Sequence, residues 1–155
     1  SQIESLETIA DSYGLELNHI KAHGALYNQM IIDAELSNFY LDTIKDFKNK
    51  CSLYIPYKSE IEKIALKKGF SIIYEVFGDR NYNDDLSLVS RNNENALITN
   101  PGSVVNHIKT IKETETVKTI NGNYKNIKFD TICIHSDTNN SIEILKKINQ
   151  EFDES

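Results

Sequence analysis

The chain has 155 residues, 39% of them hydrophobic and 26% charged, enough apolar material for the core of one domain of ordinary size. Six glycines and two prolines exclude collagen-like, proline-rich and flexible-linker architectures. A formal net charge of −6 leaves no electrostatic footprint for a nucleic-acid backbone or an anionic membrane, so neither is expected as a partner.

Taken in order, Gln2–Tyr13 places Ile3, Leu6, Ile9 and Ala10 at helical spacing and stops at Gly14. Leu17–Lys21 reads as a short strand, HGALYN as a turn, and Asp33–Phe47 as a second helix. Cys51–Ile55 is a buried strand broken by Pro56, and Ser59 with Glu62 offers a capping box for a helix that Gly69 ends. Phe70–Phe77 is a third strand. Gly78–Asn100 is then a polar stretch of 23 residues, a length usually functional or disordered when it lacks regular structure. Asn100 or Ser103 caps a helix over Pro101–Lys112, and VKTINGNYKNIKF predicts a hairpin around Asn121-Gly122. Asp130–His135 is a last strand, and Asn139 or Asn140 caps a helix over Ser141–Phe152.

The alternation predicts a single α/β domain over residues 1–155 with a largely parallel sheet and one hairpin. No apolar run reaches the ~18 residues of a membrane span, and the acidic N-terminal segment lacks a basic leader region. A cytoplasmic protein is expected. Cys51 and Cys133 lie in apolar runs outside any CxxC or Cys/His cluster and read as reduced core residues.

Ligands of parallel sheets bind beyond the carboxyl ends of the strands, so the residues that follow each strand are the candidates. His23 and His135 each follow an apolar strand and precede a small residue, which suits a general acid or base or a metal ligand as well as a strand-end hydrogen bond. His19 and His107 read as structural or exposed. Glu75 sits in an apolar strand and needs a partner, for which Arg80 and Lys21 are the natural choices. Asp79 with Arg80 admits either an ion pair or a binding role, and Asp137 either orients His135 or caps the following helix. Only two of the 17 basic residues are arginines, Arg80 and Arg91, and both lie in the long polar stretch, where a planar fork suits bidentate binding of carboxylate or phosphate. Phosphate-loop, HExxH and GxSxG patterns are absent from the sequence.

Three segments together carry more. KAHGALYNQ (21–29), YEVFGDRNYNDDLSLVSRNNENALI (74–98) and TICIHSDTNNSIEILKKI (131–148) resemble, in order and spacing, the LamB/YcsF family, also known as the A subunits of 5-oxoprolinase, whose versions look like KPHGALYN, REVFADRxYxxDGxLVxR and TICVHGDxPxA. The resemblance spans Gln2–Phe152. It implies a seven-stranded β/α barrel of the glycoside hydrolase/deacetylase type, and a subunit that works with two further subunits to open the lactam of 5-oxoproline to L-glutamate using ATP with Mg. It further implies that His23 and His135 move protons or hold a water or cation, and that Glu75 and Asp79 position the nucleophile. Arg80 or Arg91 would then meet the substrate carboxylate or a phosphate, with Lys21, Tyr27, Asn28 and Asp137 in the substrate or ATP site.

The upstream NCDLGE, HAGD and AHPG motifs of the family do not occur, so the expectation is its C-terminal portion and a partial barrel, with edges that a homo-oligomer or an upstream chain would cover. Ala22 stands for the family's Pro, Ser136 for a Gly and Ser87 where a Gly is usual, and Pro56 with Tyr57 and Lys58 replaces a small-residue turn. The competing functions are a metal-dependent hydrolase of sugars or amides, with an additional divalent metal at His23 and His135, and a non-catalytic binding or scaffold subunit.

Overall fold

The computed structural model describes residues 1–152, which divide into two compact units. One comprises Ser1–Ile55 with Ser59–Ile73, and the other Pro56–Lys58 with Tyr74 onward. Among these residues no helix is long and apolar enough to cross a membrane.

In the first unit α1 (Gln2–Ser12) starts in a capping box between Ser1 and Glu4, and the chain leaves it through Gly14 at φ +68°. Strand β1 (His19–Ile20) pairs in parallel with β2 (Ser52–Ile55), His19 opposite Ser52 and Ile20 opposite Leu53. The segment read as a turn is a short helix, α2 (Gly24–Gln29). Gly24 supplies the left-handed φ of +62° at its start, and Asn28 Nδ2 donates back to the Gly24 carbonyl at 3.2 Å.

Helix α3 (Ala34–Thr43) begins where Asp33 accepts from the Leu36 amide, and ends earlier than its apolar spacing predicts. Thr43 Oγ1 bonds back to the Phe39 carbonyl, a contact that weakens a helix end, and a 3-10 turn over Lys45–Phe47 follows. In β2, Leu53 and Ile55 point inward at period two. Helix α4 (Glu60–Lys68) runs from its Ser59 cap to Gly69 in the left-handed conformation, as expected, and Lys68 pairs with Asp42 of α3.

Strand β3 (Ile72–Phe77) opens in the first unit, where the Leu53 amide donates to Ser71 just ahead of it, and continues into the second. There it pairs in parallel with β6 (Thr131–Cys133), Glu75 opposite Thr131 and Phe77 opposite Cys133. The strand order is β1-β2-β3-β6, four parallel strands of an α/β fold. Helix α5 (Pro101–Thr114) is capped by Asn100, whose Oδ1 accepts from the Ser103 amide.

Strands β4 (Thr116–Lys118) and β5 (Tyr124–Asn126) form the hairpin. Its turn closes through Gly122 N–H to Thr119 O and Thr119 N–H to Asn123 O, with Gly122 at φ +84°, so the loop is a three-residue turn with a bulge. Helix α6 (Ser141–Phe152) packs Ile144 with Val104 and Ile108 of α5. Asn140 stands at its N-cap position, its carbonyl accepting from the Ile144 amide, but at φ +64° and with its side-chain amide donating to the Thr99 carbonyl.

The long polar stretch 78–100 contains no helix or named strand, yet it is packed. Tyr82, Leu86, Val89 and Ala96 are buried, and bridges join Arg80 to Leu97 and Tyr82 to Leu88. Tyr82 and Leu86 enter the main apolar cluster of this unit with Val76, Ile111, Val117 and Ile127.

Candidate functional site

The parallel register of β3 and β6 builds the site. Continued two residues beyond Phe77 and Cys133, it sets Asp79 beside His135. The Asp79 carboxylate is fully buried. Its Oδ2 accepts from the His135 backbone amide at 2.9 Å and from Thr138 Oγ1 at 2.5 Å. His135 Nδ1 lies 3.0 Å from Oδ1 and 3.1 Å from Oδ2, and the ring stacks on Phe77 at 5.1 Å between centroids. Burial pushes the Asp79 carboxyl up, but the hydrogen bonds from the His135 ring, Thr138 and the His135 backbone outweigh it, and its pKa lies below the ordinary value.

An ionised Asp79 fixes the tautomer: Nδ1 carries the proton that the carboxylate accepts, and Nε2 of a neutral His135 carries the lone pair. The side chain keeps a quarter of its surface exposed, so this dyad can accept a proton from a water or hydroxyl and return it. Asp79, expected to position the nucleophile, lies against the ring and the backbone amide of His135. Asp137, expected to orient His135 or cap α6, does neither. Its two oxygens take Arg91 Nη1 at 2.7 Å and Nη2 at 3.4 Å. Thr138 was not among the candidates read from the sequence; the only signal for it was a hydroxyl three residues after His135.

Of the two arginines, Arg91 therefore has its fork on Asp137, in a pair that is largely exposed. Arg80 is 5% exposed, and its Nη2 donates to the Val89 carbonyl at 2.7 Å instead of forming an ion pair with Glu75. Glu75, one residue ahead of Val76 in β3, is buried as well. Burial, then the like charge of Arg91, lowers the Arg80 pKa.

The other candidates lie in the first unit. His23 is exposed at the N-cap of α2 and makes no side-chain capping bond there. Lys21 Nζ lies 5.8 Å from the centre of the buried Tyr27 ring, and Asn28 bonds within α2. Among the described residues no three His, Cys, Asp or Glu side chains come together as metal donors.

His19 stacks on Tyr54 at 3.9 Å, a packing role as expected. Half-buried His107 lies near Tyr82, and burial lowers its pKa. Among the described residues neither cysteine is in a disulfide; Cys51 is buried and Cys133 half-buried.

The substituted turns have local explanations. Tyr57 packs edge-on against Tyr74, with Lys58 and Lys128 over its ring. In the turn before Leu88 the left-handed residue is Leu86, at φ +68°, while Ser87 bonds to Asp85 through its amide and hydroxyl. The place that suits a glycine is therefore 86 and not 87.

The family model described as LamB/YcsF matches residues 1–155. The chain belongs to the LamB/YcsF family. Among its LamB/YcsF relatives, one from Pyrococcus horikoshii, named as the A subunit of 5-oxoprolinase, is 34% identical over 153 residues, covering 99% of this chain and 60% of the relative. Another of the same name, from Campylobacter jejuni, is 39% identical over 152 residues, covering 97% of this chain and 59% of the relative. Their shared name marks these relatives as parts of multi-subunit assemblies. The crystal structure of a lactam utilization protein from Thermus thermophilus superimposes with a TM-score of 0.89 at 26% identity, over 99% of this chain and 61% of that one. The fold is thus that of the matched part of that structure, and the chain spans about three fifths of the length of the relatives it matches.

Proposed function

We propose that this chain forms part of an ATP-dependent, cytoplasmic 5-oxoprolinase that opens the lactam of 5-oxoproline to L-glutamate together with further subunits. Family membership supports the substrate class, since the relatives are named as 5-oxoprolinase subunits and the structural neighbour is a lactam utilization protein. The observation that carries the chemistry is the buried Asp79 on Nδ1 of His135.

A lactam amide is stabilised by resonance, and ATP with Mg supplies the activation of its carbonyl oxygen. What this chain contributes is proton management. His135 Nε2 takes a proton from the water that adds to the ring carbonyl carbon, while Asp79 balances the charge that develops on the imidazole. As the ring C–N bond breaks, the same proton returns to the departing nitrogen, which becomes the amine of glutamate, and a second water releases the phosphoryl group taken from ATP as inorganic phosphate. Thr138 and the His135 amide hold the carboxylate still, so the geometry is ready before substrate arrives.

The test is 5-oxoproline-dependent release of ADP and glutamate by the chain assembled with the remaining subunits. The wild-type assembly is expected to release both in equal amounts, and His135→Ala to lower the rate by about 10²- to 10⁴-fold. A wild-type assembly that hydrolyses ATP without consuming 5-oxoproline sinks the substrate assignment, and an active His135→Ala assembly sinks the role of the base.

A further inference from the structure

Arg80 is a buried cation with unused donors. Its residue is 5% exposed, Nε is inaccessible and meets no hydrogen-bond acceptor, and the guanidinium has one neutral acceptor, the Val89 carbonyl. Among the described residues it forms no ion pair. Asp79, its neighbour in sequence, has both oxygens committed to His135 and Thr138, and Asp137 is taken by Arg91.

A buried charge is ordinarily paired, because desolvation costs more than one hydrogen bond to a neutral carbonyl returns. The segment that carries it is tied together by backbone bonds, Asn81 N–H to Ala96 O, Val89 N–H to Asn81 O and Ile98 N–H to Asp79 O. In a chain that otherwise uses lysine, a guanidinium retained here keeps a planar set of donors that an ammonium does not offer.

We infer that Arg80 is the receptor for an oxyanion of the reactants, a carboxylate or a phosphoryl group, and that Arg91 is not. The paired oxygens of either group match the edge of the guanidinium, which Lys in the same place does not reproduce. The carboxylate source rests on the 5-oxoproline reading above, whereas the phosphoryl source does not.

Having two arginines makes the test direct, since the full ¹⁵N-labelled chain has two arginine Nε–H resonances, and Arg80→Lys identifies one by removing it. The chain is titrated at constant ionic strength with 5-oxoproline, with 2-pyrrolidinone, which has the ring but no carboxylate, and with inorganic phosphate. The Arg80 resonance is expected to move saturably with 5-oxoproline, with phosphate or with both, and to stay in place with 2-pyrrolidinone. Arg80→Lys is expected to weaken the same binding, followed by heat, at least tenfold.

Movement with 5-oxoproline alone assigns the carboxylate, and movement with phosphate alone assigns the phosphoryl group. An Arg80 resonance that ignores both anions up to about 10 mM, or an Arg91 resonance that moves in its stead, overturns the inference. The resonance is read on the unaltered chain, and Arg91→Lys, at an exposed pair, gives the same assignment by elimination, so a poorly folded Arg80→Lys does not spoil the result. A moving Arg80 resonance beside an assembly inactive on 5-oxoproline would leave the anion site standing and remove only the proposed reaction.

Discussion

Asp79 and His135 lie side by side because the register that pairs Phe77 with Cys133 continues past the ends of both strands, placing the carboxylate 3.0 Å from Nδ1 and 2.9 Å from the backbone amide of the same histidine. One carboxylate thus fixes both the ring and the backbone of the histidine. Asp79→Asn removes the charge and turns an amide donor toward at least one of three donors. The rate of 5-oxoproline-dependent ADP release in the assembled complex is expected to fall by about 10²- to 10⁴-fold. A circular dichroism spectrum matching the wild type separates this loss from unfolding, and a rate within tenfold of wild type contradicts it.

Thr138 holds the same carboxylate from the other side. Thr138→Val leaves a buried Asp79 oxygen short of a donor, and is expected to cost about 1–3 kcal/mol in urea unfolding. Its hydrogen bond is one of the causes that keep the Asp79 pKa down, so the folded-state pKa rises in the variant. A depressed carboxylate pKa stabilises above the unfolded value and loses that effect as pH falls through the folded value. Acid unfolding should therefore begin at a higher pH in Thr138→Val. Thr138→Ser, which keeps the hydroxyl, should restore both properties, and a Ser variant no better than Val would argue that packing alone is at work.

Asp84 accepts from Thr119, Asn121 and Asn123, tying the long loop to the hairpin turn. These side-chain bonds, Thr119 first, bring its pKa from 3.8 to about 2. The contribution is complete above the unfolded value and disappears as pH falls from about 4 to about 2. Wild type is expected to melt above Asp84→Asn at pH 6, with the gap closing over that interval. A gap that persists unchanged at pH 2 would assign the effect to shape and not to charge.

Glu115 ends α5 in the left-handed conformation at φ +50° and is exposed. Glycine has no Cβ to strain there, so Glu115→Gly should raise stability by about 1 kcal/mol, seen as a higher melting temperature. A lower melting temperature would mean that the entropy of the added glycine outweighs the relief.

Gly78 occupies the step between β3 and Asp79, where an added Cβ would lie 2.8 Å from Ile134 Cδ1 and 3.0 Å from Ile108 Cδ1. Ile108 is 1% exposed and has little room to yield. Gly78→Ala is expected to cost about 1–3 kcal/mol in chemical unfolding. Unchanged stability would show that the two isoleucines repack freely.

Local chemistry in the sequence was sufficient for the elements that depend on it. Gly69 and the Ser59 cap delimit α4, Asn100 with Pro101 opens α5, and Asn121-Gly122 marks the hairpin, because each acts on backbone groups a few residues away. The three motifs likewise pointed to the family whose model matches the chain. Helix α2 escaped notice because six residues give too short a period to distinguish from a turn. The partners of the site residues were also out of reach. Asp137 was the candidate to orient His135, and only the parallel register, which joins residues 56 apart in the chain, gave that place to Asp79 and left Asp137 to Arg91. Residue identity determines what each group is able to donate or accept, but the tertiary pairing of distant strands decides which donor meets which acceptor, and so which histidine meets the buried carboxylate and which arginine pairs with Asp137.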